Sequence, residues 1–331
     1  MTNLTVSADG TLLADGDRTN DTTPTLSGVS EEGATIIVYD TDGTTVLGTT
    51  VAGVGGIWSV DLSTLGEGSH TLTATATDTA GNTSVITSSV DVFIDLTLPS
   101  TLTTITVTDN VLPGTGAVTA GSDINDSSPT LSGTGAEPNS FIKVYNGSTL
   151  IGSGEADGNG VWSFQPTAPL PDGNYSLTAT ATDAAGNVSL PSPSFGFTVD
   201  TAKPDTIAAL IVTDNVAPVI GNVPNGGSTN DTTPTFSGKV EPGATVTLYN
   251  AGNPTPLAVI VANDDGTWSY TPPAPLAEDT YRITATVTDL AGNVSDISTE
   301  FVLVVDKTAP LTAPTFTIDD NVAPNQGPVL T

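Results

Sequence analysis

Residues 19–28 read TNDTTPTLSG, and nearly the same phrase returns as NDSSPTLSG at 125–133 and as TNDTTPTFSG at 229–238. Its aspartate recurs every 105 residues, at Asp21, Asp126 and Asp231. A repeat of fixed period defines the architecture before any single residue is interpreted. The phrase therefore predicts several copies of one unit of about 100 residues, the size of a small domain with its own core.

Other landmarks keep the same spacing to within a residue. They are Trp58, Trp162 and Trp268; the turns DTAGN, DAAGN and DLAGN that begin at Asp78, Asp183 and Asp289; and Asp95, Asp200 and Asp306. We accordingly predict three domains, at 1–98, 99–203 and 204–309. Residues 310–331 repeat the pattern TDNV as DDNV, and we interpret them as the start of a truncated fourth repeat.

Short alternating segments within each copy predict β-strands and no helix. In the second copy, seven strands are expected at ITVTDN (105–110), PTLSG (129–133), FIKVYN (141–146), TLIGSG (149–154), VWSFQ (161–165), YSLTATATD (175–183) and SFGFTVD (194–200). Ile142 and Val144 should face inward and Lys143 outward, because successive side chains of a strand point to opposite faces. Seven antiparallel strands in about 100 residues are typical of an immunoglobulin-like sandwich. The predicted fold is all-β, with three tandem immunoglobulin-like seven-stranded sandwiches in an elongated rod.

The aromatic residues support this fold. A tryptophan recurs on the fifth strand of every copy, which favours core packing over a sugar-stacking platform, because a ligand platform need not be repeated. Tyr175 and Tyr281 begin the sixth strand, where a tyrosine corner is expected. His70 takes their place in the first copy, so we interpret it as a substituted corner residue.

Composition restricts the partners. The formal net charge is −30, from 36 acidic and 6 basic residues, which argues against nucleic acid and anionic membranes. The chain has no cysteine, so disulfides and thiol chemistry are excluded. No apolar run reaches the 18 or so residues needed to span a bilayer. Cations are the natural partners of such a chain, which we expect to be monomeric.

Strand direction gathers the recurring acidic residues at the two ends of each sandwich. We call the end where the last strand finishes the C-terminal pole, and the opposite end the N-terminal pole. The end of strand one, the start of strand two and the end of strand seven meet at the C-terminal pole; in the second copy they carry Asp109, Asn110, Asp126 and Asp200. The turns after strands two and six lie at the N-terminal pole, with Glu137 and Asp183.

If the copies stack end to end, each C-terminal pole faces the N-terminal pole of the next copy. The candidates at the first junction are Asp9, Asp21, Asp95, Glu137 and Asp183. Those at the second are Asp109, Asn110, Asp126, Asp200, Glu241 and Asp289. The C-terminal pole of the third copy carries Asp214, Asp231 and Asp306.

Crowded carboxylates indicate a bound cation. Two of them about 4 Å apart repel by roughly 4 kcal/mol at an effective dielectric constant of 20. Ca²⁺ is the expected ion, because it accepts six to eight oxygens in irregular geometry, whereas Zn²⁺ prefers His or Cys. The competing interpretation is that each Asp or Asn only hydrogen-bonds its own turn backbone. For the clusters we favour calcium.

No catalytic motif is apparent. The sequence has no nucleophile elbow or phosphate-binding loop, and a single histidine without cysteine leaves few routes to acid–base catalysis near neutral pH. Paired carboxylates can serve a glycosidase, but these recur at domain junctions, which suits a structural role better. We expect a protein that is not an enzyme.

The phrases NDTTPTLSG, ATVTLYN, DGTWSY, YSLTATATDAAGNVS and FTVDTAKP together resemble the tandem bacterial immunoglobulin-like domains of giant secreted adhesins, over essentially the whole chain. The resemblance implies type I secretion, attachment at the bacterial cell surface, a role in virulence, and calcium at or near domain junctions. The glycine-rich nonapeptide calcium repeats of many such proteins are not found in this sequence. In the first copy SADG replaces TDN, so the resemblance supports a calcium-binding role for Asp9 less strongly than for Asp109.

Two function classes follow. One is a calcium-stiffened spacer that projects an adhesive tip for attachment to host cells, its partners being the adjacent repeats of the chain. The other is a binding module whose domains themselves contact host-surface glycans. Binding of this chain alone to a glycan array distinguishes the two.

Overall fold

The computed structural model describes residues 2–309, 318–320 and 327–329, whose regular secondary structure is β-strand apart from one short 3₁₀ turn at Val54–Gly56. The chain divides into two units, Met1–Thr201 and Ala202–Thr331, and each is described by itself. The first unit holds two sandwiches and the second holds one. The segment predicted to begin a fourth repeat, 310–331, lies outside the described residues except for two short strands.

Each repeat contributes nine strands within the described residues. The first repeat has β1 (Thr2–Ala8), β2 (Thr11–Leu13), β3 (Arg18–Thr19), β4 (Thr25–Val29), β5 (Thr35–Tyr39), β6 (Val46–Val51), β7 (Ile57–Asp61), β8 (Gly68–Thr77) and β9 (Val90–Ile94). The second has β10 (Thr106–Asp109), β11 (Gly116–Ala117), β12 (Asp123–Ile124), β13 (Thr130–Gly133), β14 (Phe141–Asn146), β15 (Thr149–Glu155), β16 (Trp162–Phe164), β17 (Gly173–Thr182) and β18 (Phe195–Val199). The third has β19 (Ile211–Asp214), β20 (Gly221–Val223), β21 (Gly227–Thr229), β22 (Thr235–Lys239), β23 (Thr245–Asn250), β24 (Ala258–Val261), β25 (Thr267–Tyr270), β26 (Asp279–Thr288) and β27 (Phe301–Val305). A final hairpin pairs β28 (Ile318–Asp320) with β29 (Gly327–Val329).

The strands of each repeat form two sheets with the same order. In the first repeat a four-stranded sheet runs β2-β1-β4-β7 and a five-stranded sheet runs β3-β9-β8-β5-β6. The second and third repeats repeat this order strand for strand. The predicted all-β class and the three immunoglobulin-like sandwiches are confirmed.

Two short strands in each repeat were not expected. In the second repeat these are β11, which pairs antiparallel with β10, and β12, which pairs parallel with β18. A strand of two or three residues is too short to show alternation, so neither is visible in the sequence pattern. They matter because β12 leads the chain along the last strand into Asp126, and so fixes that residue at the C-terminal pole.

Side-chain alternation separates core from surface as predicted. Ile142 and Val144 are fully buried, whereas Lys143 between them is partly exposed. Leu177, Ala179 and Ala181 of β17 are likewise buried, with partly exposed threonines between them. Each repeat encloses a separate cluster of buried apolar residues.

A tryptophan facing a glycine lies in the core of every repeat. Trp58, Trp162 and Trp268 are 1–3 % exposed, and their strand partners are Gly28, Gly133 and Gly238. A Cβ added to Gly133 would lie 2.6 Å from the Trp162 ring, which is closer than packed atoms allow. The glycine is required because the indole lies flat over its α-carbon. The predicted core role of the tryptophans is confirmed.

The corner residues also occupy their predicted places. The Tyr175 hydroxyl donates to the Pro171 carbonyl at 2.7 Å, and Tyr281 donates to Ala277 at 3.1 Å. His70 makes the equivalent bond from Nε2 to the Gly66 carbonyl at 2.9 Å, and its Nδ1 lies 2.9 Å from Asp40. The imidazole therefore replaces the phenol as a corner residue, with the Asp40 carboxylate beside it.

We expect Trp162→Ala to destabilise the second repeat by about 3–5 kcal/mol, because it removes the largest buried side chain and leaves a cavity over Gly133. Hydrogen exchange of the full chain, resolved by peptide, measures this in the second repeat alone. Phe141→Ala is the matched control, since Phe141 is 39 % exposed on the outer face, and it should have a clearly smaller effect. Equal losses from the two variants would contradict a core role for Trp162.

Candidate functional site

The C-terminal pole of the second repeat brings two aspartates together in a buried position. Asp109 ends β10 and Asp126 follows β12; they are 3 % and 4 % exposed. The Val111 N–H donates to Asp109 Oδ1 at 2.8 Å. Asn110 links the two loops, since both its backbone N–H and its side-chain amide donate to Asp126 Oδ2, at 2.9 and 3.2 Å. The predicted grouping of these three residues is therefore present.

The charge of this pair is unfavourable without a cation. Burial raises the pKa of Asp109, the N–H of Val111 opposes this rise, and the neighbouring charge of Asp126 adds to it. A carboxyl whose pKa is raised in the folded state binds its proton more tightly there than in the unfolded chain. The repeat therefore loses stability as the pH rises through the carboxyl range.

The third repeat has the same arrangement with an open cavity beside it. Asp214 and Asp231 are 3 % and 2 % exposed, and the Thr229 hydroxyl donates to Asp214 Oδ2 at 2.6 Å. A cavity of about 580 Å³ is lined by Asp214, Asn230 and Asp306, together with the loop residues Pro218 and Val219. Two of the predicted carboxylates, Asp214 and Asp306, thus line one space.

The C-terminal pole of the first repeat differs from the other two. The register of β1 against β4 places Ala8, and not Asp9, at the position of Asp109. Asp9 lies one residue further, exposed in the turn to β2 with a φ of 47°. The equivalence of Asp9 with Asp109 that the sequence analysis assumed is corrected accordingly, because a shift of one residue moves a strand side chain to the other face.

The remaining carboxylates of the first pole are already engaged. Arg18 Nη1 lies 2.9 Å from Asp95 Oδ2, and Asp21 Oδ1 accepts the N–H of Thr23 at 2.8 Å. The positions equivalent to Arg18 in the other repeats are held by Asp123 and Ser228. This pole therefore lacks both buried carboxylates of the second pole, since Ala8 replaces one and Asp21 is partly exposed, and it has a guanidinium that the second pole does not.

At the N-terminal poles the predicted carboxylates are either exposed or bonded within their own loop. Glu137 and Glu241 are exposed. Asp183 Oδ1 accepts the N–H groups of Ala185 and Asn187 at 2.9 and 2.8 Å, and its Oδ2 accepts the Asn187 side-chain amide at 2.9 Å. Asp289 holds its loop in the same way. These aspartates act as turn-forming residues, the interpretation that competed with metal binding.

The junction between the first two repeats lies inside the first unit and is formed by neutral groups. The Asn20 N–H donates to the Ala185 carbonyl at 3.0 Å, and the Asn187 side-chain amide donates to the Asp95 carbonyl at 2.8 Å. The predicted approach of the Asp95 and Asp183 regions is thus observed, through a backbone carbonyl and an amide. Residues 2–309 show no hydrogen bond from Asp9 or Glu137 across this junction.

Asn20, Ala185 and Asn187 were not among the site residues predicted from the sequence. The signal was present, because the phrase AGN recurs with each turn and Asn precedes Asp in each opening phrase. The predicted second junction spans the two units, so the candidates assigned to it stay a prediction. Asp200 of this junction and Asp306 of the third C-terminal pole each follow the last strand of a repeat. Their N–H groups donate to the carbonyls of Ile124 and Thr229, at 2.9 Å in both cases.

No group of three or more His, Cys, Asp or Glu side chains in the described residues is placed to hold a metal ion. A cation at these poles would therefore need backbone carbonyls, Asn amides or water as further ligands, which Ca²⁺ accepts. Among the same residues there is no helix of the length and apolarity required to cross a membrane.

Comparison with known proteins identifies the repeat. The family described as "Bacterial Ig-like domain" matches residues 1–96, 101–201 and 213–307. No curated protein matches this chain. A solved tetra-tandem repeat from the extending region of a large adhesion protein is 22 % identical, covering 92 % of this chain and 74 % of that one, with a TM-score of 0.26. Three fibronectin domains of chicken CNTN1 are 10 % identical, over 92 % and 97 %, with a TM-score of 0.36. The BSP domain of a biofilm-associated protein is 14 % identical, over 90 % and 67 %, with a TM-score of 0.22.

We expect Asp109→Asn to stabilise the second repeat at neutral pH in chelator, because an amide keeps the bond from Val111 and removes the buried charge beside Asp126. The melting temperature should rise by a few degrees, since about 1 kcal/mol corresponds to roughly 4–8 °C for a domain of this size. The gain should shrink as the pH falls and Asp109 of the wild type takes up a proton.

Asp157→Asn is the control, because it removes the same charge from an exposed turn of the same repeat. The N–H groups of Val161 and Asn159 lower the pKa of Asp157, so its removal should give no gain. If Asp109→Asn left the melting temperature unchanged at both acidic and neutral pH, the proposed destabilisation by the buried charge at this pole would be contradicted.

Proposed function

The chain belongs to the bacterial immunoglobulin-like domain family, and we propose that its three repeats form a spacer segment of a secreted bacterial adhesin. The observation that carries this proposal is the threefold repetition of one sandwich, each with its own core and with its recurrent polar residues at the two poles. Arrays of this kind gain length by adding units that contact only their neighbours. The repeats would hold an adhesive region away from the bacterial surface, for attachment to host cells after export by type I secretion.

We further propose that Ca²⁺ binds at the poles. The raised pKa of buried Asp109 beside Asp126 supports the fit at the second pole, where Asp200 and Asn110 would add ligands. Asp214, Asp231 and Asp306 would hold the ion at the third pole. When bound, calcium supplies positive charge that offsets the repulsion between the carboxylates and thereby stiffens the array.

The first pole fits calcium less well. Ala8 stands where the other repeats have a buried aspartate, and Arg18 already neutralises Asp95. We therefore narrow the calcium proposal to the second and third poles.

A second candidate function is glycan binding by the domains themselves, which one surface favours. The third repeat has a mainly apolar groove of about 440 Å³, lined by Tyr249, Thr284, Thr286 and Ile297. An aromatic ring beside hydroxyl groups suits the stacking of a sugar. The spacer proposal is preferred, because it follows from the repetition of the whole sandwich, each with its own core, whereas glycan binding rests on a single groove.

The spacer proposal predicts that the full chain binds no sugar on a glycan array and supports capture at a distance. We would insert residues 1–306 between a bacterial surface anchor and a binding protein of known target, on a strain with long surface polysaccharide. Capture of target-coated beads should fall when residues 99–203 are deleted. Specific binding of the full chain to a glycan that Tyr249→Ala abolishes would favour the second candidate instead.

The calcium proposal predicts a rise in melting temperature on adding calcium to the chelated chain, by the linkage of ligand binding to folding. The rise should occur in the second and third repeats, resolved by hydrogen exchange. Asp126→Asn should abolish it in the second repeat, whereas Asp21→Asn should leave the response of the chain unchanged. An identical melting profile in calcium and in chelator at matched ionic strength would refute calcium binding at these poles.

A further inference from the structure

The turn DAAGN at 183–187 has a fixed shape that presents two neutral groups outward. The Asp183 carboxylate holds the turn from inside through the N–H groups of Ala185 and Asn187. Gly186 has a φ of 95°, a conformation that residues with side chains rarely adopt, and a Cβ built on it would lie 3.6 Å from the Asn20 side chain, so the turn faces Asn20 at this glycine. The Ala185 carbonyl and the Asn187 amide then point out of the repeat.

Both outward groups are used at the first junction. The Ala185 carbonyl accepts the Asn20 N–H, and the Asn187 amide donates to the Asp95 carbonyl. Ala185 and Asn187 are buried by this contact, at 8 % and 6 % exposed. The equivalent Ala80 and Asn82 of the first repeat are exposed, although the Asp78 carboxylate holds their turn through the same three bonds.

The receiving groups recur at the C-terminal pole of the third repeat. Asn230 and Asp306 correspond to Asn20 and Asp95, because each pair flanks the short parallel pairing of the last strand. The same backbone bond holds the two residues of each pair next to each other. The Asp95 N–H donates to the Thr19 carbonyl and the Asp306 N–H donates to the Thr229 carbonyl, both at 2.9 Å. Asn230 and Asp306 line the cavity of about 580 Å³, and the described residues supply no acceptor for the Asn230 N–H.

We propose that this cavity is a socket for the turn Asp-x-Ala-Gly-Asn of a further repeat, which docks there as the 183–187 turn docks on the first repeat. The inference rests on the proposed function as an array of repeats. Its chemistry suits a pole rich in carboxylates, because the incoming turn makes its contacts through a backbone carbonyl and a side-chain amide, while its own aspartate is bonded to N–H groups within the turn. Docking of this kind requires no metal ion.

The occupied junction tests the docking mode. The chain has no cysteine, so spin labels at Thr49→Cys and Ser148→Cys, both exposed, report the distance between the first two repeats without background. Asn187→Ala should broaden the distance distribution in chelator and in calcium alike. Asn82→Ala is the matched control, because it breaks the same bond within an equivalent turn that contacts no other repeat among the described residues. It should leave the distribution unchanged.

A distribution that Asn187→Ala leaves as narrow as in the parent would overturn the docking mode, as would broadening by Asn82→Ala to the same extent. Unchanged hydrogen exchange inside the second repeat of Asn187→Ala shows that the repeat itself is intact. Glycan binding by the chain would refute the spacer function without affecting this result, so the two failures are distinguishable.

The socket itself is tested by completing a fourth repeat. The chain through Pro324 is continued with a copy of residues 219–306, since DNVAP at 320–324 matches DNVAP at 214–218. Hydrogen exchange of the peptide containing Asn230 should slow in the completed chain. The slowing should be lost when the appended copy of Asn293 is changed to Ala, and retained with Asn82→Ala. Exchange at Asn230 that is the same with and without the appended repeat would overturn the socket.

Discussion

Each repeat depends on the burial of one indole against one glycine across neighbouring strands. The Trp162 ring covers the Gly133 α-carbon so closely that no side chain fits beneath it, and the same pair occurs in the other two repeats. A large aromatic residue buries more apolar area than any other side chain, so it dominates the free energy of a small sandwich that has no disulfides. With these neighbouring strands of the four-stranded sheet held in the same register, their ends and loops lie at the same two poles in every copy.

Much of this fold could be predicted from residue order. Alternation in FIKVYN and YSLTATATD gave the correct inward faces, and recurrence of Trp162 identified the core, because burial imposes period and repetition on a sequence. The short strands could not be predicted, since two residues carry no period. The register at Ala8 and Asp9 was also missed. A shift of one residue exchanges a buried position for an exposed one, but it hardly alters the sequence pattern around the turn.

For the candidate site, the sequence predicted which residues lie at the same pole but not which contacts they make. Strand direction alone grouped Asp109 with Asp126, since it depends only on topology. The direction of a side-chain amide depends on the local turn, so the contact of Asn187 with the Asp95 carbonyl could not be foreseen from spacing. Asp183 shows the same limit, because an aspartate that shapes its own turn and one that faces a neighbour have the same sequence signature.

The poles combine two kinds of contact that have different electrostatic requirements. Buried carboxylates such as Asp109 favour a counter-charge, whereas the amide and carbonyl groups at the first junction need only shape and direction. Arg18 shows that the chain can supply a counter-charge from its own side chain, since its guanidinium pairs with Asp95 at the first pole. The charge state of one pole can therefore differ from that of the next while the neutral contact stays the same.

Every repeat carries both halves of the neutral contact, the turn at one pole and its acceptor at the other. A gene encoding such repeats can lengthen or shorten by unequal recombination at any boundary, since each new neighbour meets the groups it needs without compensating substitutions. Selection for a longer or shorter array can then act on the number of repeats rather than on individual residues.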